Sequence, residues 1–176
     1  MQLPRLVFPL LISILLLFTS FPAIASPLTS QFVTPVGVLP GLKGVFTGTP
    51  PTDIGIHNSH LIDCPASPNC VSSSASDDEH YIAPIEYTAA PDSVRDKLVA
   101  VLENQPRTEI VEQTDDYIRV QFTSRLMGFV DDAEFHFIPD EKIITMRSAA
   151  RLGESDLGVN RRRLEQFRLA LQSLGA

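Results

Sequence analysis

Basic residues are in deficit in this chain: 14 Lys and Arg stand against 21 Asp and Glu, a net charge of −7. That deficit excludes nucleic acid as a natural partner, because phosphates demand a basic footprint. No phosphate loop or dinucleotide fingerprint is present, so nucleotide chemistry has no anchor and no cofactor is expected. The closest approach to a nucleophile elbow is Gly153-Glu154-Ser155-Asp156-Leu157-Gly158. It has one residue too many for Gly-x-Ser-x-Gly and precedes a helix that no parallel sheet feeds. Internal repeats and long charge runs are also lacking. Cysteine is scarce, with two in the chain, and both fall within one proline-bracketed loop, Cys64-Pro65-Ala66-Ser67-Pro68-Asn69-Cys70.

An apolar run from Leu6 to Phe21 follows a single positive charge at Arg5, and Ala23-Ile24-Ala25 offers the small-x-small pattern of a signal peptidase site. The pattern predicts a signal peptide over 1–25, cleaved after Ala25, and an exported protein of the periplasm or thylakoid lumen. An uncleaved N-terminal anchor is the alternative, although the run is short of the ~20 residues that span a bilayer. Loss of Arg5 would leave a net charge of −8. From 26 to 56 the density of proline (27, 35, 40, 50 and 51) and glycine (37, 41, 44 and 48) breaks both periodic patterns, which predicts a linker. Phe32, Val38, Leu42 and Phe46 are more apolar than a solvated tether requires. They are expected to rest on the domain or a partner.

Residues 57–176 read as a single domain. Pro91-Asp92-Ser93 followed by Val94, Leu98, Val101 and Leu102 predicts one helix. Four stretches near 108–113, 117–124, 129–138 and 142–149 alternate apolar and polar residues and are joined by short turns, which predicts an antiparallel meander. A second helix is expected after an N-cap at Ser155 or Asp156, with Leu157, Leu164, Phe167, Leu171 and Leu174 on one stripe and Asn160 in its middle. A buried amide needs a partner, and the loop 151–156 is nearest in sequence. The expected architecture is α+β: two helices on one face of a four-stranded antiparallel meander, with the disulfide segment as an N-terminal flap or edge. Residues 81–87 could add a short strand.

Three stretches together, Cys64–Ser73, Arg147-Ser148-Ala149-Ala150-Arg151-Leu152-Gly153 and Asp156-Leu157-Gly158-Val159-Asn160-Arg161-Arg162-Arg163, strongly resemble a family known as domain of unknown function 1499. The likeness covers roughly residues 60–174. It implies one exported or membrane-associated domain of bacterial or photosynthetic lineages and carries no activity that transfers. Ala150 departs from the Arg-Ser-x-Ser-Arg form expected of the second stretch, so no role can be assigned to a hydroxyl there.

Three constellations could carry chemistry. The cysteine pair reads as a structural disulfide Cys64–Cys70. Its rivals are a zinc site drawn from His57, His60, Asp63, His80 and the cysteines, and a redox-active bridge. The arginine corner, Arg147, Arg151, Asp156, Asn160 and Arg161, could hold an anion at a helix N-terminus. Equally, Arg147 or Arg151 could pair with Glu154 and Asp156 and lock the strand-to-helix turn. Finally, Arg119, Gln121, Glu134, His136, Thr145 and Arg147 could share one sheet face, solvated or catalytic. The leading expectation is a non-catalytic module at a membrane surface that binds a membrane protein complex, an anionic lipid headgroup or a small ligand. The alternative is a small exported hydrolase using the His136/Arg147 surface.

Overall fold

The computed structural model of the chain describes residues 44–176. The apolar run, the Ala25 cleavage point, Phe32, Val38 and Leu42 therefore lie outside the described residues. In chain order the elements are β1 (Ile56–His57), β2 (His60–Leu61), β3 (Cys70–Ser72), β4 (Ile85–Glu86), α1 (Pro91–Glu103), β5 (Thr108–Gln113), β6 (Tyr117–Thr123), β7 (Val130–Ile138), β8 (Ile143–Ala150) and α2 (Val159–Ser173). Among them no helix is long and apolar enough to cross a membrane.

The fold is α+β on a mostly antiparallel sheet. β5 to β8 form the expected meander, but the sheet has six strands rather than four. The additional two, β3 and β4, share the outer edge of β8: β3 pairs with Arg147–Ala149 and β4 with Ile143 and Ile144. They are only two or three residues long, too short to show a period in sequence.

Alternation in the meander sends Ile118, Val120, Phe122, Ala133, Phe135, Phe137, Ile144 and Met146 to one face, where all are buried. Both helices cover that face. α1 buries Val94, Leu98 and Leu102; α2 buries Leu164, Phe167 and Leu171, and Phe167 stacks on Phe122 and meets Phe135 edge-on at 5.8 Å. Each such side chain contributes about 1.5–3 kcal/mol by leaving water. Leu157 and Leu174, expected on the same stripe, are 84% and 50% exposed. The helix starts only at Val159, after Gly158 in the left-handed region (φ 74°), and ends at Ser173, so neither leucine is in helical phase. Asp156 still caps the helix from outside, accepting from the Gly158 and Asn160 N–H groups at 2.9 and 2.7 Å.

Of the stretch read as a linker, Phe46 rests on the domain as its apolar character led one to expect, and the described chain after it packs there too. From residue 46 onward the chain packs on the domain: Phe46 lies 5.2 Å from the Phe129 ring, and the Pro51 carbonyl accepts from Arg119. β1 and β2 form a two-residue hairpin through Asn58 and Ser59, both at positive φ. This strap, residues 46–63, crosses the polar face of the sheet as a third layer, and the Cys64–Cys70 disulfide joins its end to β3.

Candidate functional site

On the polar face, Tyr117, His136 and Thr145 lie side by side across β6, β7 and β8, as do Arg119, Glu134 and Arg147, and then Gln121, Asp132 and Ala149. The grouping expected from alternation is thus present, yet it is neither solvated nor open. Glu134, Asp132, Arg147 and His136 are 0, 2, 5 and 7% exposed, because the strap lies over them. Polar alternation in a strand cannot distinguish water from a polar covering layer.

Burial forces pairing. Glu134 accepts from the Tyr117 hydroxyl at 2.9 Å and from Arg147 Nη1 at 3.1 Å, and the Gly55 N–H of the strap faces the same carboxylate. Asp132 accepts from Arg151 Nε and Nη2 at 2.6 and 3.0 Å and from Arg119 at 3.3 Å. Burial pushes the Glu134 carboxyl above its usual range against the pull of Arg147, and it holds the His136 imidazole below its ordinary value. His136 Nδ1 has no hydrogen-bond partner, and no acid is bonded to its ring. Arg147 and Arg151 accordingly pair with cross-strand carboxylates and not with Glu154 or Asp156, which correct the expected corner lock.

The five residues of the anion-site expectation are therefore dispersed. Arg147 and Arg151 line a cleft of about 460 Å³ between strap and sheet, with Asp132, Ala149 and Ala150 on its floor and Asp53, Ile54 and Asp63 among its walls. Asp156 caps α2 on the other side of the sheet. Arg161 donates to the carbonyls of Tyr81 and Glu79 at 2.6 and 2.7 Å and fastens that loop to the helix.

Asn160 is buried as its helical phase requires, at 1% exposure, but two of its three side-chain partners come from other elements. Its Oδ1 accepts from the Ser148 hydroxyl and from Arg163 Nη1, and its Nδ2 donates to the Asn69 carbonyl at 3.2 Å. The Asn69 side chain in turn donates to the Gly153 carbonyl. Each of the three stretches that carry the family resemblance supplies a member of this node. It joins an edge strand, a central strand and a helix.

The zinc reading fails on its sulfurs, since Cys64 and Cys70 are bonded to each other. His80 is occupied otherwise: Nδ1 faces Asp77 at 2.8 Å and Nε2 the Ser67 carbonyl at 3.2 Å. Among the described residues no group of three or more His, Cys, Asp or Glu is placed to hold a metal ion.

A second feature has no counterpart in the sequence expectations. At the end of the domain formed by the β6–β7 turn and the loop before α2, Leu126, Leu152, Leu157 and Val159 are 59, 41, 84 and 39% exposed. Phe129, Leu152 and Val159 line one apolar hollow of about 210 Å³, and Val159 also borders a groove with Arg107, Arg162 and Arg163. Among the described residues Arg107, Arg125 and Arg162 have no carboxylate within ion-pair distance; Arg107 and Arg162 donate only to the carbonyls of Thr123 and Leu157. Exposed leucines in turns leave no periodic signal, so only the placing of those turns at one end of the sheet reveals them.

Among curated proteins and among solved structures nothing matches the chain. The family model described as "Protein of unknown function (DUF1499)" matches residues 60–171, a span that contains the Asn160 node, the paired carboxylates, α1 and all but the last two residues of α2, and the chain belongs to that family.

Proposed function

We propose that the protein is an exported, non-catalytic module that rests on an anionic membrane surface, in a periplasm or thylakoid lumen, through the end of the domain bearing Leu126, Leu152 and Leu157. The observation that carries this reading is the juxtaposition at that end of exposed apolar side chains with arginines that lack carboxylate partners, on a chain of net charge −7. Against an overall acidic chain, three such arginines beside an apolar knob complement lipid phosphates: each contributes about 1 kcal/mol near an anionic leaflet, and each leucine inserted adds about 1.5–3 kcal/mol. The opposite end carries Asp115, Asp116, Asp140 and Glu141, which such a surface repels. The resulting orientation would leave the strap and its cleft beside the membrane. The non-catalytic half of the reading is supported by the use of Glu134 and Asp132 as internal partners of buried arginines, which leaves His136 without a carboxylate to orient it.

Vesicle co-sedimentation tests the proposal. The purified protein is expected to bind vesicles containing phosphatidylglycerol, to release them as salt rises, and to ignore phosphatidylcholine alone. Leu157→Asp and Arg125→Gln, both at exposed positions, should weaken binding without changing the melting temperature. Equal binding to neutral vesicles, or none to anionic ones, sinks the idea.

A further inference from the structure

Arg147 is 5% exposed, yet its guanidinium is only partly used. Of five N–H donors, one meets Glu134, and Nε is buried with no partner. Arg151 spends Nε and Nη2 on Asp132. Both side chains line the cleft under the strap. Two fixed positive charges, Arg147 and Arg151, thus stand against one carboxylate, Asp132, so the floor carries one positive charge in excess. Polar groups withheld from water bond to something, and a buried guanidinium with unbonded Nη donors at the wall of a cleft marks the position of an acceptor.

The rim has the opposite sign. Asp53 and Asp63 line the same cleft, are exposed, and have no ion-pair partner among the described residues. A simple anion small enough to reach Arg147 would meet both carboxylates on its way. A molecule with an anionic head and a cationic group a few bonds away would meet complementary charge at each depth. The volume, about 460 Å³, falls within the roughly 300–1,000 Å³ of small-molecule sites. Ala149 and Ala150 keep the floor low where a larger side chain would fill it.

We propose that this cleft binds a small zwitterion, its carboxylate or phosphate accepting from Arg147 and its ammonium facing Asp53 and Asp63. The site is separate from the membrane-facing end and does not depend on it. Free peptides or amino acids and ethanolamine phosphate headgroups share this chemistry.

Titration calorimetry on the oxidised protein distinguishes them, with glycylglycine and glycerophosphoethanolamine as probes and sodium acetate and phosphate as controls. One zwitterion or both should bind saturably, about tenfold or more tighter than either control, and the stronger of the two identifies the source. Asp63→Asn, at the exposed rim, should weaken the zwitterion and spare the simple anions. Ala149→Leu should abolish binding by filling the floor while the ion pairs stay intact, and Arg147→Lys should abolish it by removing the unbonded Nη donors of the guanidinium. Should neither zwitterion bind at about 10 mM, should acetate or phosphate bind as tightly, or should Ala149→Leu bind like the parent protein, the proposal is wrong. Vesicle binding by Ala149→Leu is expected to be unchanged, which separates failure here from failure of the membrane reading.

Discussion

Replacing Asn160 by leucine puts an apolar side chain of similar size on an apolar helix stripe, and it should nevertheless destabilise the protein. Three side-chain hydrogen bonds vanish, but they are not equivalent. The Asn69 carbonyl keeps the Ala150 N–H at 3.1 Å, and Arg163 keeps Asp131 at 2.8 Å. Ser148 has no other partner and is 0% exposed. The cost is therefore that of one stranded hydroxyl, about 1–3 kcal/mol, offset in part by the added apolar burial. With an urea slope of about 1–3 kcal/mol/M the midpoint should fall by roughly 1 M. The double variant Asn160→Leu with Ser148→Ala removes both ends of the bond and should recover most of the loss, because deleting a buried pair is far cheaper than halving it. An unchanged midpoint in the single variant, or a double variant at least as unstable as the single, would refute the reasoning.

Removing Arg151 by Arg151→Met strands Asp132, which Arg119 only partly compensates, so a loss of about 3 kcal/mol is expected in chemical denaturation. Gly48 lies at positive φ, and a Cβ there would stand 2.7 Å from Arg151 Cβ; Gly48→Ala should lift the strap, seen as faster amide exchange at 46–63 with the helices unaffected. Opening the seven-residue ring by Cys64→Ser with Cys70→Ser should cost about 2 kcal/mol by chain entropy, read from the same denaturation curves. His80 is held above its ordinary pKa, first by its hydrogen bond with Asp77. A folded-state value above the unfolded one gives stability that is complete below about pH 6.5 and lost as pH rises through the folded value. Melting temperature should thus decline as pH rises above about 6.5 in the parent protein, and His80→Gln should flatten that decline.

Much of this architecture is legible in the chain. Val94, Leu98 and Leu102 report α1 by spacing, Ile118, Val120 and Phe122 report β6 by alternation, and the phase of Leu164 and Leu171 places Asn160 indoors. Nearness in sequence misleads about its partners, since Asn69 is 91 residues away and reaches it only through β3 on β8. The same error affects Arg147, whose neighbour Glu134 follows from the β7–β8 register and not from the adjacent loop. The strap is the largest loss. Proline and glycine at 44–55 suppress both periods, and its two strands are a single hairpin step long. Asn58-Ser59 is the one local hint, as an asparagine tolerates the left-handed turn.

The disulfide has a different kind of consequence from the ion pairs beside it. Its cysteines are six positions apart, whereas Arg119 reaches Pro51 across 68 and Asn160 reaches Asn69 across 91. Closing a short ring costs little chain entropy, and the long loops cost more. In an oxidising compartment the bond can therefore close while the rest of the chain is still unstructured, and two cysteines leave a single pairing within the chain. Oxidation becomes an early, template-free step, and the slow part of assembly is the return of the strap to a sheet whose last strand lies some ninety residues further along the chain.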